Sequence, residues 1–294
     1  MAGRFQRRLV LGPLRRGGAD PTYRVAQDGS VWRASRTPEG PGTLRVTETD
    51  ARAWGPGGDW LLRQLPLLLG EGDRPEAFVP RHRVVAQSRH RHPGLRLCRT
   101  GLVLESLIPS VLEQKVTTTE AHRSWRHLVR TFGEPAPGSD FPGAPPGLYV
   151  MPDPGGWARI PSWEWHLANV DAKRADTVVR AARVAARLEE AAHMPYEQAK
   201  KRLEAVPGIG PWTSAETLQR SNGAPDALTV GDLHLPGIVG YALTGERGAT
   251  DADMLELLAP YAGQRHRAAR YILLTGLTPP RRGPRRAPGR FSHL

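Results

Sequence analysis

The chain has 294 residues, 41 Lys and Arg against 29 Asp and Glu, and a formal charge of +12. Such an excess points to a polyanionic partner, nucleic acid or an anionic membrane surface, or else only to a genome that favours arginine. The single cysteine, Cys98, excludes an internal disulfide and a multi-cysteine metal or iron–sulfur site. No apolar run reaches the ~18 residues of a membrane span, and MAGRFQRRLVLGPLRRGG has too short an apolar core for a secretory signal, so a cytoplasmic, nucleoid-associated protein is expected.

Residues 1 to about 50 read as strands and turns. TYRVAQDGSVWRAS alternates Tyr23, Val25 and Val31 around Asp28-Gly29, a hairpin pattern, and TLRVTET at 43–49 reads as another short strand. From about 57 the pattern is helical: Trp60, Leu61, Leu65, Leu68 and Leu69 form one stripe. A further helix follows, with Pro80 near its start and Pro93-Gly94 at its end. A domain boundary is therefore expected near 92, giving a β-rich N-terminal domain with helices over 1–92.

The remainder to 280 reads as helices. Leu104, Leu107, Ile108, Val111 and Leu112 recur at helical spacing with Pro109 inside the stripe, where a kink is expected. Ala121, Trp125, Leu128, Val129 and Phe132 make the next stripe, and the Pro/Gly-rich stretch 133–156 reads as a long surface loop. Residues 172–191 form a strongly amphipathic helix with Val178, Ala182, Ala185 and Leu188 inward. The tail 281–294, rich in arginine and free of acid, is expected to be disordered and electrostatically sticky, or simply solubilising.

Between two helical patterns stands Val206-Pro207-Gly208-Ile209-Gly210, followed by Pro211 in a position suited to the first turn of a helix. Glycines 208 and 210 permit backbone conformations and close approaches that a Cβ forbids. The result is either a plain turn between helices, or a tight hairpin over 203–213 whose amides, at a helix N-terminus, suit a phosphate. Some twenty residues on, Asp232 follows the turn-like Val230-Gly231 and opens an apolar segment. It is either a helix N-cap, a site carboxylate, or both.

LEAVPGIGPWTSAETL followed by TVGDLHLP resembles the signature of the helix–hairpin–helix (HhH-GPD) DNA glycosylase superfamily, with its hairpin, Gly/Pro-rich loop and aspartate. The AlkA-type 3-methyladenine DNA glycosylases are the most similar group. Likeness extends over about 90–278 and takes in the first helical block with its Gln114 turn, the helices before the hairpin and the closing pair. The N-terminal segment matches that family's extra domain in composition and position alone. The fold implied is α+β: a small β-rich N-terminal domain, then an all-α, two-lobed helix–hairpin–helix glycosylase domain over 93–280 with the cleft between its lobes.

The resemblance implies a glycosylase that hydrolyses the N-glycosidic bond of a damaged base, an alkylated purine first of all, flipped out of double-stranded DNA. Asp232 takes the catalytic position. Family members that cleave the backbone carry a lysine just after the hairpin; Trp212 stands there, which implies a monofunctional enzyme without lyase activity. Val206, Gly208, Ile209, Gly210 and Thr213 are the implied DNA-binding hairpin residues. A structural monovalent cation on the carbonyls of Val206, Gly208 and Gly210 is implied too, whereas no cofactor is required. Gln114 and Lys115 occupy the gap-filling position; the alternatives are that Lys115 binds a phosphate while Gln114 fills the gap, or that both only cap a helix.

Trp212 matches an aromatic pocket position, or else is hairpin core. Two further aromatic positions of the family are held by Glu216 and Gln264, while Trp163 and Trp165 either supply rings from the other lobe or pack between helices. Arg265, His266, Arg267 and Arg270 either contact phosphates or are solvated. A monomer with no membrane partner is expected. The alternatives are a glycosylase for a deaminated or bulky base, and a non-catalytic DNA-binding module.

Overall fold

The computed structural model describes residues 2–280 and Gly289, and of residues 2–6 the backbone alone. The expectation for 281–294 thus lies outside the described residues, Gly289 apart. The chain opens with a helix, α1 (Ala2–Leu11), and a single 3-10 turn over Gly12–Leu14, where strands and turns were expected. The reason is packing: Val10 and Leu11 are buried against Tyr23, Val31, Leu44 and Leu61, so the apolar end of an Arg-rich decapeptide docks as a helix on the sheet that follows.

That sheet is an antiparallel meander of β1 (Tyr23–Val25), β2 (Val31–Thr37), β3 (Gly40–Val46) and β4 (Ala51–Trp54). The Asp28-Gly29 turn joins β1 to β2 as expected: Val25 pairs with Val31, Gly29 has φ +79°, and Asp28 Oδ1 accepts from Ser30. Side chains alternate between two covered faces, because successive strand residues point to opposite sides. Val31 faces α1 and α2 (Gly58–Leu68). Trp32 faces Ala136, Leu148 and Val150, stacks on Trp54 at 5.2 Å, and meets Phe141. The stretch 133–156, expected as a surface loop, is therefore in large part the lid on one face of the sheet.

Phe78 and, on α3 (Arg83–Arg91), Val85 share a core with Leu235, Val239, Met254, Tyr271 and Ile272 near the other end of the chain. The main core gathers around α4 (Val103–Leu112), every residue of which except Glu105 is buried. Pro109 lies inside it and the helix runs on past. Against it pack α5 (Thr118–Phe132), started by a Thr117/Glu120 capping box, and the elements that follow. These are β5 (Glu134–Pro135), paired with β6 (Tyr149–Val150), then the short helices α6 (Pro154–Arg159) and α7 (Ser162–Leu167).

The helix expected over 172–191 is two, α8 (Ala172–Arg183) and α9 (Ala185–Glu189), because Val184 leaves the helical region at φ −113°, ψ 20°. Beyond the break Glu189 accepts the Val103 and Leu104 amides, both at 2.8 Å, and so caps α4 from another helix. The chain then runs through α10 (Tyr196–Glu204), α11 (Pro211–Ser221), α12 (Leu235–Thr244), α13 (Asp251–Leu258) and α14 (Arg265–Leu274). The molecule is mostly helical, with one four-stranded antiparallel sheet in its N-terminal region. Among the described residues no helix is long and apolar enough to cross a membrane.

Candidate active site and nucleic-acid interface

The hairpin between α10 and α11 is anchored from within: Leu203, Val206 and Ile209 are buried in the main core. The Val206 amide donates to Leu203 O and the Ile209 amide to Val206 O, which turns the chain. Gly208 has φ +100°, and a Cβ there would stand 2.1 Å from Thr177 Oγ1 on α8, so no other residue fits. Gly210 differs from expectation. Its φ of −110° suits any residue and nothing lies within 4 Å of a Cβ there, so the protein itself does not require a glycine. Pro211 is the first residue of α11.

Gln114, just past α4, reaches this hairpin. Its Nε2 donates to Gly208 O at 3.0 Å and to Thr213 Oγ1 at 2.8 Å. Lys115 follows it, exposed and left-handed at φ 55°, where the chain turns into α5. Ser214 Oγ donates to Glu204 Oε1 at 2.7 Å, closing the hairpin from its other side. Among the described residues the Gly208 and Gly210 amides have no acceptor, and no side chain caps α11. These free amides, next to the uncapped start of α11, make the arrangement that suits an anion.

The three carbonyls expected to hold a cation are each engaged by a different donor. Val206 O accepts the Ile209 amide, Gly208 O the Gln114 side chain, and Gly210 O the Ser214 amide along α11. Each of these carbonyl oxygens has a second lone pair that a cation could take, and no step below passes through such an ion.

Asp232 lies on the loop before α12. Its Oδ1 accepts the His234 and Leu235 amides, each at 2.8 Å, and its Oδ2 accepts the Trp212 indole N–H at 2.9 Å. The carboxylate therefore caps a helix and is at the same time bound to the residue one step past the hairpin. Gly231, at φ +86°, makes the turn before it, and the Gly231 amide is held by Asp251 Oδ1. Trp212 and Asp232 are half-buried, and Leu233 beside them is 87% exposed.

Glu216, one turn along α11 from Trp212, is paired: Arg220 Nη1 donates to its Oε2 at 2.7 Å, while Arg220 Nε donates to Pro13 O at 3.0 Å. Nearby, Arg16 Nη1 meets Glu113 Oε1 at 2.8 Å, with His122 Nε2 at 3.6 Å. Burial pushes the Glu113 carboxyl up, but Arg16 and the His122 hydrogen bond outweigh it and hold it down at about 2. Gln264 Oε1 accepts from Arg267 Nε at 2.7 Å.

Of the basic cluster on α14, His266 and Arg267 are buried, while Arg265 and Arg270 are partly exposed. Arg265 pairs with Asp226, Arg267 is fully buried against Asp73, and Arg270 donates to Leu9 O. Burial, then the charges of Arg270 and Arg220, push the His266 imidazole well below its ordinary range. Of the two α7 rings, Trp165 is buried, stacked on Trp157 at 6.1 Å with its N–H on Ile160 O, whereas Trp163 is 64% exposed.

The structure thus brings Gln114, the hairpin, Trp212 and Asp232 together, with Glu216 a turn away, and encloses Trp165 in the core. Sequence reasoning missed Arg220, Arg16 and Glu113. Arg220 was within reach, since it follows Glu216 at the i, i+4 spacing of helical ion pairs. Arg16 carries no such mark, because its partner Glu113 lies 97 residues away in sequence.

No family model matches the chain. Among curated proteins it is 33% identical over 144 residues, 49% of its own length, to the "Probable bifunctional transcriptional activator/DNA repair enzyme AlkA" of Mycobacterium tuberculosis. It is 25% identical over 183 residues, 61% of its length, to the "DNA-3-methyladenine glycosylase" of Bacillus subtilis. The chain spans 28% and 59% of those proteins. Among solved structures, the 3-methyladenine DNA glycosylase of Archaeoglobus fulgidus superposes with a TM-score of 0.69 at 17% identity, covering 90% of this chain and 93% of that one. The chain therefore shares the fold of that glycosylase, and in sequence it is similar to proteins named as AlkA and as 3-methyladenine DNA glycosylases.

Proposed function

We propose that the protein is a monofunctional DNA glycosylase that hydrolyses the N-glycosidic bond of a damaged purine, an alkylated one first, flipped from duplex DNA. One observation carries this reading: the Asp232 carboxylate is bound to Trp212, and Trp212 directly follows the hairpin that offers unpartnered amides. In the proposal the amides of Gly208, Gly210 and the first turn of α11 grip a backbone phosphate, with Val206 and Ile209 anchoring the loop and Thr213 tying it to Gln114. This places the sugar of the same strand beside Asp232. Breaking the bond builds positive charge on that sugar, which a fixed carboxylate stabilises, and the same oxygen orients the attacking water.

The flipped base lies against Trp212 in a cleft between two helical lobes, near Glu216 and Gln264, with exposed Trp163 at its margin. Gln114 and Lys115 sit on the edge that faces the vacated stack; the exposed lysine serves a phosphate as readily as it fills the gap. A Schiff base needs an amine beside the sugar, and the position after the hairpin holds an indole, which supports hydrolysis without strand cleavage. The proposal takes the protein to act as a monomer on double-stranded DNA in the cytoplasm, at the nucleoid.

The test is release of free base and formation of abasic sites in methylated duplex DNA. Wild type is expected to produce both without nicking the strand. Asp232→Asn is expected to lose at least about a hundredfold in single-turnover rate while binding an abasic-site duplex within a few-fold of wild type. Binding without any excision by the wild type would leave a non-catalytic DNA-binding module in its place.

A further inference from the structure

The neighbourhood of Trp212 is a hydrogen-bonding one. Trp212, Glu216 and Arg220 fall at i, i+4 and i+8 on α11, one face of one helix, with Trp212 bonded to Asp232 at its outer end. The Glu216–Arg220 pair is single-armed. Arg220 Nη1 meets Oε2 of Glu216, and Arg220 Nε is taken by Pro13 O. Among the described residues Oε1 of Glu216 and Nη2 of Arg220 have no hydrogen-bond partner. Both side chains are only about 15% exposed, at 15% and 14%. Neither atom is fully enclosed, so water meets both in the free protein and an incoming polar group can replace it. Arg220 also borders two cavities, of about 20 and 30 Å³, each near the volume of one water.

Resting on the proposed glycosylase function, we infer that this pair reads the Watson–Crick edge of the flipped purine. It accepts lesions whose edge still offers one donor and one acceptor, and it rejects lesions in which that edge is blocked. Charge is not the criterion. The pair is net neutral, and Gln264, at another position where the family resemblance expects an aromatic ring, is polar and bonded to Arg267. A carboxylate can only accept, so the base must supply a proton. Purines altered at N3 or N7, or deaminated to hypoxanthine, keep an N–H beside an acceptor on that edge. In 1,N6-ethenoadenine a fused ring covers the edge and leaves acceptors only, which would face Glu216 Oε1 with no proton between them. A site built on polar groups discriminates strongly against an analogue that leaves them unpaired.

The experiment uses full-length protein on duplexes carrying a single hypoxanthine or a single 1,N6-ethenoadenine, both neutral, with methylated duplex DNA alongside. Wild type is expected to excise hypoxanthine at least about tenfold faster than ethenoadenine in single turnover. Glu216→Gln should bring that ratio down about tenfold, toward one, because an amide can turn to donate as well as accept. Affinity for an abasic-site duplex, which contains no base, reports that the variant is folded. Ethenoadenine removed as fast as hypoxanthine by the wild type, or a ratio unmoved in Glu216→Gln, overturns the inference while release from methylated DNA leaves the glycosylase reading standing. No release from any of the three duplexes overturns the glycosylase reading itself.

Discussion

At the scale of single residues, the two hairpin glycines divide into different kinds. Gly208 is required by the fold: its left-handed φ and its contact with Thr177 leave no room for a side chain. Gly208→Ala is expected to cost at least about 2 kcal/mol, read as a lower urea midpoint with an unchanged slope. Gly210 is in ordinary extended backbone with open space around it. Gly210→Ala is expected to change stability by less than about 0.5 kcal/mol, so any loss of affinity for an abasic-site duplex isolates the surface proposed to meet the phosphate. Equal destabilisation by the two changes would refute that division. Asp232 shows a related economy, since one carboxylate oxygen starts α12 and the other holds Trp212.

At the scale of elements, the hairpin is fastened to the end of α4 by one side chain, Gln114, with two hydrogen bonds. Gln114→Ala is expected to cost about 1–2 kcal/mol and to speed amide exchange across 206–213 more than elsewhere. Uniform exchange over the chain would show that the fastening is not local. What could be read in the sequence follows the same logic. The hairpin, Asp232 and the β1–β2 turn rest on spacings of a few residues that local chemistry dictates, and they were legible. The break at Val184, the docking of α1 and the cover that Phe141 and Leu148 place on Trp32 depend on partners far along the chain, which periodicity does not report. Trp163 and Trp165 were legible in part: two residues apart on a helix they point to opposite sides, so one ring inside puts the other outside.

At the scale of the whole molecule, the N-terminal segment is stitched to the helical core by buried charge, and this makes stability depend on acidity. The Glu113 carboxyl titrates at about 2 in the folded chain, against an ordinary 4.5, held there by Arg16 and His122 against the effect of burial. A carboxyl with a depressed folded value contributes stability in full above its unfolded value, and that contribution disappears as the pH falls through the folded one. The stability of the wild type is therefore expected to fall between pH 4.5 and 2 by about 3 kcal/mol from this group. Glu113→Gln, which leaves Arg16 buried without its partner, should be about 3 kcal/mol less stable at pH 7, with a flatter curve through the same window. Parallel curves for the two proteins would assign the acid sensitivity to other groups.

Pro13 offers its carbonyl to Arg220, and Arg16 reaches Glu113, so the far end of the α11 face that begins at Trp212 is completed by a residue from the start of the chain. Contacts of that span are among the slowest to form. During synthesis the helical half emerges last, and only then can the first helix settle against it. A newly made molecule would hold a formed hairpin before the inner face of α11 beneath it is complete.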